Sequence, residues 1–417
     1  MIVLNNLKSL EKLILKRKTI KNRITKKVEK ILKDVKEHGD EALIYYTKKF
    51  DKVKLSLKEL RISESEISAA FDELDSETIS SFKIAIENVI KFYKKDLPKL
   101  TRRIKESNGK ILIKKYIPLE RVGIYIPAGT SPLVSSVYMS VIPAIVAGVK
   151  EIVLVSPPNK KDNSINPYIL SIASLLKIKE IYRIGGAQAI AALGYGTQTI
   201  KKVDKIIGPG NEYVTEAKRQ IFGEVDIDML AGPSEVVILA LRGANIDYIA
   251  LDLGAQMEHN KGLGILITNS KKIIAQLQNK KIDCIVLKVN CLEEAIEAIN
   301  RIAPEHLEIF SKKPSKILKH IRNAAGIFLG EYSPVALGDY TAGPSHILPT
   351  NGTARFFSTL SVREFLKEVH IISYTKKAIF DEVNVLEKIA SIEGMSKHIE
   401  SVKKRLVDYE KKDIKDS

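Results

Sequence analysis

The chain has 417 residues, 45% of them hydrophobic and 28% charged, which is material for roughly two to four domains with their own cores. The longest apolar stretch, Val137 to Val149, contains Ser140 and Pro143 and is shorter than the ~20 residues that a bilayer crossing needs, so we expect no membrane span. The two cysteines, Cys284 and Cys291, are too few for a disulfide framework and match no redox or zinc spacing, which favours structural thiols.

The formal net charge of +17 would suit a nucleic-acid partner, because basic proteins hold nucleic acid through phosphate contacts. The distribution of the charge argues against this. Lysines are spread along the chain, and those from Lys16 to Lys36 alternate with apolar residues at the spacing of an amphipathic helix. We therefore expect no nucleic-acid partner. Met1 to Asn6 do not begin a secretory signal, so we expect a cytoplasmic location.

In chain order, an N-terminal arm is followed by a mainly helical region, residues 21–97, with Gly39-Asp40 breaking one helix and Asp75-Ser76 capping another. From about residue 111, short apolar runs alternate with amphipathic ones, which is typical of βαβ units and a mostly parallel sheet. The first series consists of residues 121–126, 133–149, 151–155, 165–176, 180–184, 187–193 and 205–207. The second series consists of apolar runs at residues 264–268, 282–289 and 326–329, with a helix at 292–302. Helices and a charged tail follow from about Lys376.

Three glycine-containing turns follow apolar runs of the first series, at residues 125–132, 185–188 and 208–211. Glycine lets backbone approach a ligand, and a helix N-terminus favours an anion such as a pyrophosphate, so a nucleotide would suit these turns. The dinucleotide fingerprint G-x-G-x-x-G is missing, because Tyr213 stands where the third glycine would be. Any single turn is better explained as an ordinary connection, but three together favour a nucleotide site.

Polar residues are concentrated in four short segments of the second half: Gln256-Met257-Glu258-His259, Ala303-Pro304-Glu305-His306-Leu307, Gly338-Asp339-Tyr340 and Glu393-Gly394-Met395-Ser396-Lys397-His398. Three of the seven histidines lie here beside acids, which indicates metal ligands and proton-transfer groups. On a helix, Gln256 and His259 would share a face and could reach one divalent ion. Simpler explanations stay open: this pair as a solvated helix surface, Asp339 as a turn former, and His398 as a surface histidine.

Pro304 suits the first position of a helix, which predicts that Glu305 and His306 lie at a positive helix end that lowers the carboxylate pKa. An adjacent acid and imidazole suit the deprotonation of a hydroxyl and a water, although a helix-capping glutamate is the commoner explanation. His346, in the loop at residues 343–349, is interpreted as structural.

Together these residues resemble the histidinol dehydrogenase family, in the same order and over nearly the whole chain. The motifs that carry the resemblance are Gly123-Ile124-Tyr125-Ile126-Pro127, residues 185–193 from Gly185 to Leu193, Gly208-Pro209-Gly210-Asn211 with residues 213–218, Ala231-Gly232-Pro233-Ser234-Glu235, and the four polar segments. They are long and specific. Ala128 departs from the family, which often has a second glycine there, but no functional side chain is lost.

The resemblance implies a zinc-dependent, four-electron oxidation of L-histidinol to L-histidine through L-histidinal, using two NAD, at the last step of histidine biosynthesis. The implied zinc, one per subunit, is bound by Gln256, His259, Asp339 and His398. The implied substrate contacts are Ser234, Gln256, His259, His306, Asp339, Glu393 and His398, and the implied NAD contacts are Tyr125, Gln188 and Asn211. His306 would take the hydroxyl proton and Glu305 would activate the water, so no thiol is required.

The implied fold is α/β, with two incomplete Rossmann-like α/β domains and small helical terminal segments, in a homodimer with shared active sites. We divide the chain accordingly into four parts: an arm (1–20), a first Rossmann-like domain with the metal and substrate residues (21–124 and 232–375), a second one on the NAD side (125–231), and a C-terminal helical segment reaching the partner's site (376–417). Two other classes of protein share some of these features. A nucleic-acid-binding protein would explain the charge, whereas a metallohydrolase would explain the polar cluster but leave the glycine turns without a ligand.

Overall fold

The computed structural model describes residues 1–18, 22–128, 132–241, 243–259 and 261–413. The strands are β1 (Ile2–Leu4), β2 (Thr101–Lys105), β3 (Ile111–Pro118), β4 (Arg121–Tyr125), β5 (Glu151–Val155), β6 (Glu180–Tyr182), β7 (Lys205–Ile207), β8 (Asp226–Ile227), β9 (Glu235–Ala240), β10 (Leu263–Thr268), β11 (Ile285–Lys288), β12 (His306–Phe310), β13 (Gly326–Leu329) and β14 (Leu366–Ser373). The α-helices are α1 (Leu7–Lys18), α2 (Asn22–His38), α3 (Asp40–Tyr46), α4 (Glu64–Asp72), α5 (Ser76–Asp96), α6 (Ser135–Ala147), α7 (Pro167–Leu175), α8 (Gly186–Tyr195), α9 (Glu212–Ile221), α10 (Ile246–Glu258), α11 (Lys271–Asn279), α12 (Leu292–Ile302), α13 (Pro314–Leu318), α14 (Val335–Tyr340), α15 (Lys376–Ile392) and α16 (Ser396–Asp413).

The described part of the chain forms two units, and the larger one, Met1–Leu97 with Leu119–Phe365, contains two parallel sheets. Their strand orders are β1-β11-β10-β9-β12-β13 and β6-β5-β4-β7-β8. Apart from the edge strand β1, both sheets follow one scheme, in which the strand order reverses between two central strands: β9 and β12 in one, β4 and β7 in the other. Open α/β sheets bind ligands at such reversals. The prediction of an α/β protein with mostly parallel sheets is confirmed.

Continuous apolar runs form the central strands because both faces of each sheet are covered by helices. Every residue of β9, β10 and β12 is buried. Alternate residues of β9 enter different cores: Val237 and Leu239 pack with residues of α1 and α12, whereas Val236 and Ile238 pack with residues of α10 and α11. The helix α10 that carries Gln256 is therefore held on one face of the six-stranded sheet.

The helical N-terminal region agrees with its local signals. Gly39 adopts a left-handed backbone (φ 53°) between α2 and α3, where an added Cβ would lie 2.1 Å from Oε1 of Gln198. Asp75 caps α5 by accepting a hydrogen bond from the Thr78 amide at 2.8 Å. Apolar residues of α2 pack with those of α8 and α9, beside the five-stranded sheet. The four-part division made from the sequence stays a prediction.

The smaller unit, Pro98–Pro118 with Leu366–Ser417, contains an antiparallel sheet of order β14-β3-β2 and the helices α15 and α16. The two helices were predicted, but the sheet was not. Every residue of β2 is exposed, and β14 is mostly exposed, so neither strand has the apolar run that indicates a buried strand. In the part of the chain that the structure describes, no helix combines the length and hydropathy required to cross a bilayer.

Candidate active site

The segment Ala303-Pro304-Glu305-His306 leads from the end of a helix into a strand, so the predicted helix N-terminus is wrong. The helix α12 ends at Ile302, Ala303 has a left-handed backbone (φ 51°), and His306 is the first residue of β12. A left-handed residue terminates a helix, and β12 then pairs on both sides, with β9 and β13. Pairing in the sheet therefore outweighs the local preference of Pro304 for a helix start. Glu305 therefore does not lie at a helix N-terminus, the kind of helix end that would lower its pKa.

The carboxyl group of Glu305 is buried, and burial raises its pKa to about 8. Two donors oppose this shift by binding Oε2: the hydroxyl of Ser234 at 2.7 Å and the amide of Glu235 at 2.8 Å. The negative charge of Asp339 adds to the increase. A carboxyl group with a pKa near neutrality suits general acid–base catalysis.

His306 is a buried, neutral imidazole with one defined tautomer. Its Nδ1 lies 3.3 Å from the carbonyl oxygen of Glu235, which can only accept, so Nδ1 carries the proton and donates. Its Nε2 has no hydrogen-bond partner among the described residues and lies 3.9 Å from Oδ1 of Asp339. Burial lowers the pKa of His306, so the imidazole is neutral near neutral pH. The 3.6 Å distance between its Nδ1 and Oε2 of Glu305 is therefore not an ion pair. The free lone pair on Nε2 can accept a proton.

Asp339 lies within the short helix α14, and its main chain is held by a second buried histidine. His346 Nδ1 donates to the carbonyl oxygen of Asp339 at 2.8 Å, and its Nε2 accepts from the hydroxyl of Ser136 at 3.1 Å. Burial lowers the pKa of His346 to about 4, so it stays neutral. The interpretation of His346 as structural agrees with this contact. The role of Ser136 was missed, because a serine in an otherwise apolar helix carries no local signal.

Gln256 and His259 lie where α10 ends, next to this cluster. Gln256 is buried in the last turn, and its amide nitrogen has no partner among the described residues. His259 follows the helix directly, is exposed, and lies close enough to influence the pKa of both His306 and Asp339. Gly262 packs so tightly that a Cβ there would lie 2.0 Å from the carbonyl oxygen of Gln256.

Whether these side chains can form a metal site depends on the chemistry of their donor atoms. Within the described ranges, no three histidine, cysteine, aspartate or glutamate side chains form a metal-binding cluster. Three of the four predicted ligands, Gln256, His259 and Asp339, instead combine an amide, an imidazole and a carboxylate, and the fourth, His398, lies in the smaller unit. Oxygen and imidazole donors are those that zinc accepts, and the side-chain oxygen of Gln256 is the atom of that amide that could bind the ion. The donor set therefore fits a zinc ion once further donors are added.

A cavity of about 690 Å³ adjoins this cluster and is large enough for a small polar molecule. His306, Asp339 and His346 are among its polar lining residues, and Phe92 and Phe328 contribute apolar surface. The cluster stands at the amino ends of the central strands, because Ser234 precedes β9 and His306 begins β12. This is the opposite edge from the one where open parallel sheets usually bind ligands.

The predicted NAD residues lie at the carboxyl edge of the five-stranded sheet, at its strand reversal. Tyr125 ends β4, Gln188 lies in the first turn of α8, and Asn211 caps α9 by accepting from the amides of Tyr213 and Val214. The Gly186 amide donates to the Tyr125 hydroxyl at 3.2 Å. Both amide atoms of Gln188 are buried without a partner in the described part of the chain, which suits a bound ligand. Residues 129–131 of the first glycine turn lie outside the described residues.

The last two predicted site residues lie in the smaller unit. Glu393 follows α15 and His398 lies in the first turn of α16, and both are exposed. Among the described residues, the side chains of Glu393 and His398 form no hydrogen bond with a neighbour.

Comparison with known proteins agrees with the geometry. A family model described as histidinol dehydrogenase matches residues 15–406. The chain is 44% identical to a histidinol dehydrogenase from Carboxydothermus hydrogenoformans, over 97% of this chain and 99% of the relative. It is 42% identical to one from Methanocaldococcus jannaschii, over 95% of this chain and 96% of the relative. The crystal structure of histidinol dehydrogenase from Elizabethkingia anophelis superposes with a TM-score of 0.91 at 36% identity, covering 98% of this chain and 99% of that one. The chain therefore belongs to the histidinol dehydrogenase family, the NAD-dependent oxidoreductases that perform the last step of histidine biosynthesis.

Proposed function

We propose that this chain oxidises L-histidinol to L-histidine through L-histidinal, in two successive transfers of a hydride to NAD with the addition of one water. The observation that carries the proposal is the state of His306. It is a neutral imidazole whose Nδ1 proton is donated to the carbonyl oxygen of Glu235, while its Nε2 lone pair has no partner among the described residues, beside the cavity.

In the alcohol step, Nε2 of His306 takes the proton of the substrate hydroxyl. The resulting imidazolium is stabilised from two sides, because Oδ1 of Asp339 lies 3.9 Å from Nε2 and the carbonyl oxygen of Glu235 accepts from Nδ1. NAD supplies the hydride acceptor when it is bound. Tyr125, Gln188 and Asn211 are the residues that would hold it.

In the aldehyde step, Glu305 takes a proton from the attacking water. Its Oε2 already accepts hydrogen bonds from Ser234 and Glu235, so Oε1 is the oxygen that can reach a water. A pKa of about 8 makes this carboxylate a stronger base than an ordinary glutamate, at the cost of a smaller ionised fraction near neutral pH. No cysteine takes part, since Cys284 lies in an apolar core and Cys291 lies before α12, outside the site.

Gln256, His259 and Asp339 would hold the zinc, with His398 of a second subunit completing the set. The ion would anchor the amino and imidazole nitrogens of the substrate and so orient it. The exposure of Glu393 and His398 supports a role toward a partner, in a homodimer with shared sites. In such a dimer residues 376–417 would serve the neighbouring subunit, and the arrangement is reciprocal by symmetry.

The test is the formation of NADH with L-histidinol as the only reductant. Two NADH should form for each histidinol consumed, with histidine as the product. A purified, zinc-loaded protein that forms no NADH, or that stops at histidinal, would overturn the proposal.

A further inference from the structure

A buried ion pair contacts the turn at residues 208–211, which carries the predicted NAD residue Asn211. Lys218, in α9, has only 2% of its surface exposed, and Asp228, which follows β8, is also buried. Their side chains are joined by a hydrogen-bonded ion pair. Neither residue belongs to the site described above, and the hydrogen bonds of both side chains go to each other and to nearby backbone.

Both members of the pair bind the backbone of Gly208. The Lys218 ammonium donates to the carbonyl oxygen of Gly208 at 3.0 Å, and Oδ2 of Asp228 accepts from the Gly208 amide at 2.7 Å. One residue of the turn thus has both of its backbone polar groups bound by opposite charges. Hydrogen bonds to charged groups are the strong ones in proteins, so the pair restrains this peptide on both sides.

Gly208 lies between two of the predicted NAD residues. Its backbone is left-handed (φ 124°), and a Cβ there would stand 2.1 Å from the carbonyl oxygen of Tyr125. Asn211 follows three residues later and caps α9, the helix that carries Lys218. The position of Gly208 therefore determines how the end of β4 and the start of α9 are spaced at the strand reversal.

We propose that Lys218 and Asp228 are positioning residues of the dinucleotide site, which hold Gly208 so that Tyr125 and Asn211 are spaced for one dinucleotide. The proposal rests on the proposed function. A buried ion pair is a poor way to gain stability, because desolvation of the charges offsets much of their attraction. This pair binds the Gly208 amide and carbonyl, which two apolar side chains in the same place could not do.

The same sheet offers a matched control at its opposite edge. Lys205, the first residue of β7, is also buried, and its ammonium lies 3.0 Å from Asp226 and 2.6 Å from Glu364. Asp226 and Asp228 are two positions apart in the chain. Loss of the Lys205–Asp226 pair removes a comparable buried ammonium but touches no residue of the dinucleotide turn.

The test variant is Lys218→Met/Asp228→Asn, which neutralises both charges together and keeps an oxygen to accept from the Gly208 amide. The control is Lys205→Met/Asp226→Asn. For both, the measurements are NAD affinity by calorimetric titration, KM for NAD and for histidinol, kcat at saturating NAD, and the thermal midpoint. We expect the NAD affinity of the test variant to fall about tenfold and its KM for NAD to rise about tenfold, the effect of one lost charge-assisted hydrogen bond. Its kcat and its KM for histidinol should change little. The control should lose thermal stability but keep wild-type NAD affinity.

Wild-type NAD affinity in the folded test variant, or an equal loss in the control, would overturn the positioning role. A wild-type protein that binds no NAD would instead count against the proposed function. Amide hydrogen exchange of the unmodified protein gives a readout that does not depend on a variant's folding. The Gly208 amide should exchange slowly without NAD, and exchange as fast as that of an exposed loop would refute the restraint.

Discussion

Replacement of Ser234 by alanine tests the environment of the base in the aldehyde step. The Ser234 hydroxyl donates to Oε2 of Glu305 at 2.7 Å, and the Glu235 amide is the other donor to that oxygen. Ser234→Ala leaves the carboxylate with one of these two donors. Because the lost hydrogen bond stabilises the ionised form, the pKa of Glu305 should rise further above its ordinary value.

The size of the effect follows from the strength of that bond. A hydrogen bond to a charged group is worth ~1.5–3 kcal/mol, and one pKa unit corresponds to about 1.36 kcal/mol. The pKa should therefore rise by about one to two units. Below both pKa values the rate follows the ionised fraction of Glu305, so kcat for histidinal should fall about 10- to 100-fold at a given pH. Above both values the two rates should converge.

The assay is the pH dependence of kcat with L-histidinal as the substrate, at equal zinc loading. Bound zinc changes the absolute pKa of Glu305 in both proteins alike, so the comparison isolates the shift. Ser234→Thr retains the hydroxyl and serves as the control. The pH midpoint of its kcat profile should match that of the wild type. An unchanged midpoint in Ser234→Ala, or a loss of equal size at every pH, would refute the assignment of Glu305 as the base that Ser234 tunes.

The remaining predictions address the metal, the two bases, the partner subunit and pH. A chelator should abolish histidinol oxidation and zinc restore it, and His259→Asn should lower the measured zinc content because one donor is deleted; full activity in metal-free protein would contradict this. Glu305→Gln should slow histidinal oxidation by ~100-fold and the first hydride transfer much less, whereas His306→Asn should impair alcohol oxidation. Equal losses in both half-reactions for both variants would disprove this division of roles between the two bases. Mixed His259→Asn and His398→Asn subunits should regain activity in heterodimers, and confirmed heterodimers without activity would place the site in one chain. Burial raises the pKa of Asp51 from 3.8 to about 6, so its contribution to stability is present below about pH 4 and lost as the pH rises through about 6. Asp51→Asn should therefore unfold at a higher denaturant concentration than the wild type at about pH 8 but not at about pH 4. A difference in the denaturation midpoint that does not depend on pH would contradict this.

Local patterns in the sequence were sufficient for much of the fold. The predicted bounds of β5, β13 and α12 agree with the structure, and so do the helix break at Gly39 and the cap at Asp75. These features depend on periodicity, on glycine and on capping side chains, which act over a few neighbouring residues. The site residues were taken from family motifs, each of which is a continuous run of specific residues, and their roles stay a prediction.

Only the tertiary structure decided how these residues are used. Glu305 and His306 enter a central strand and not a helix, because pairing with β9 outweighs the local preference of Pro304. The pKa of Glu305 is raised, opposite to the prediction, because burial is set by the surrounding elements. The contact of Ser136 with His346 joins residues that are 210 positions apart in the chain. A sequence pattern reports short-range preferences, whereas burial, charge pairing and strand order depend on which distant segments fold together.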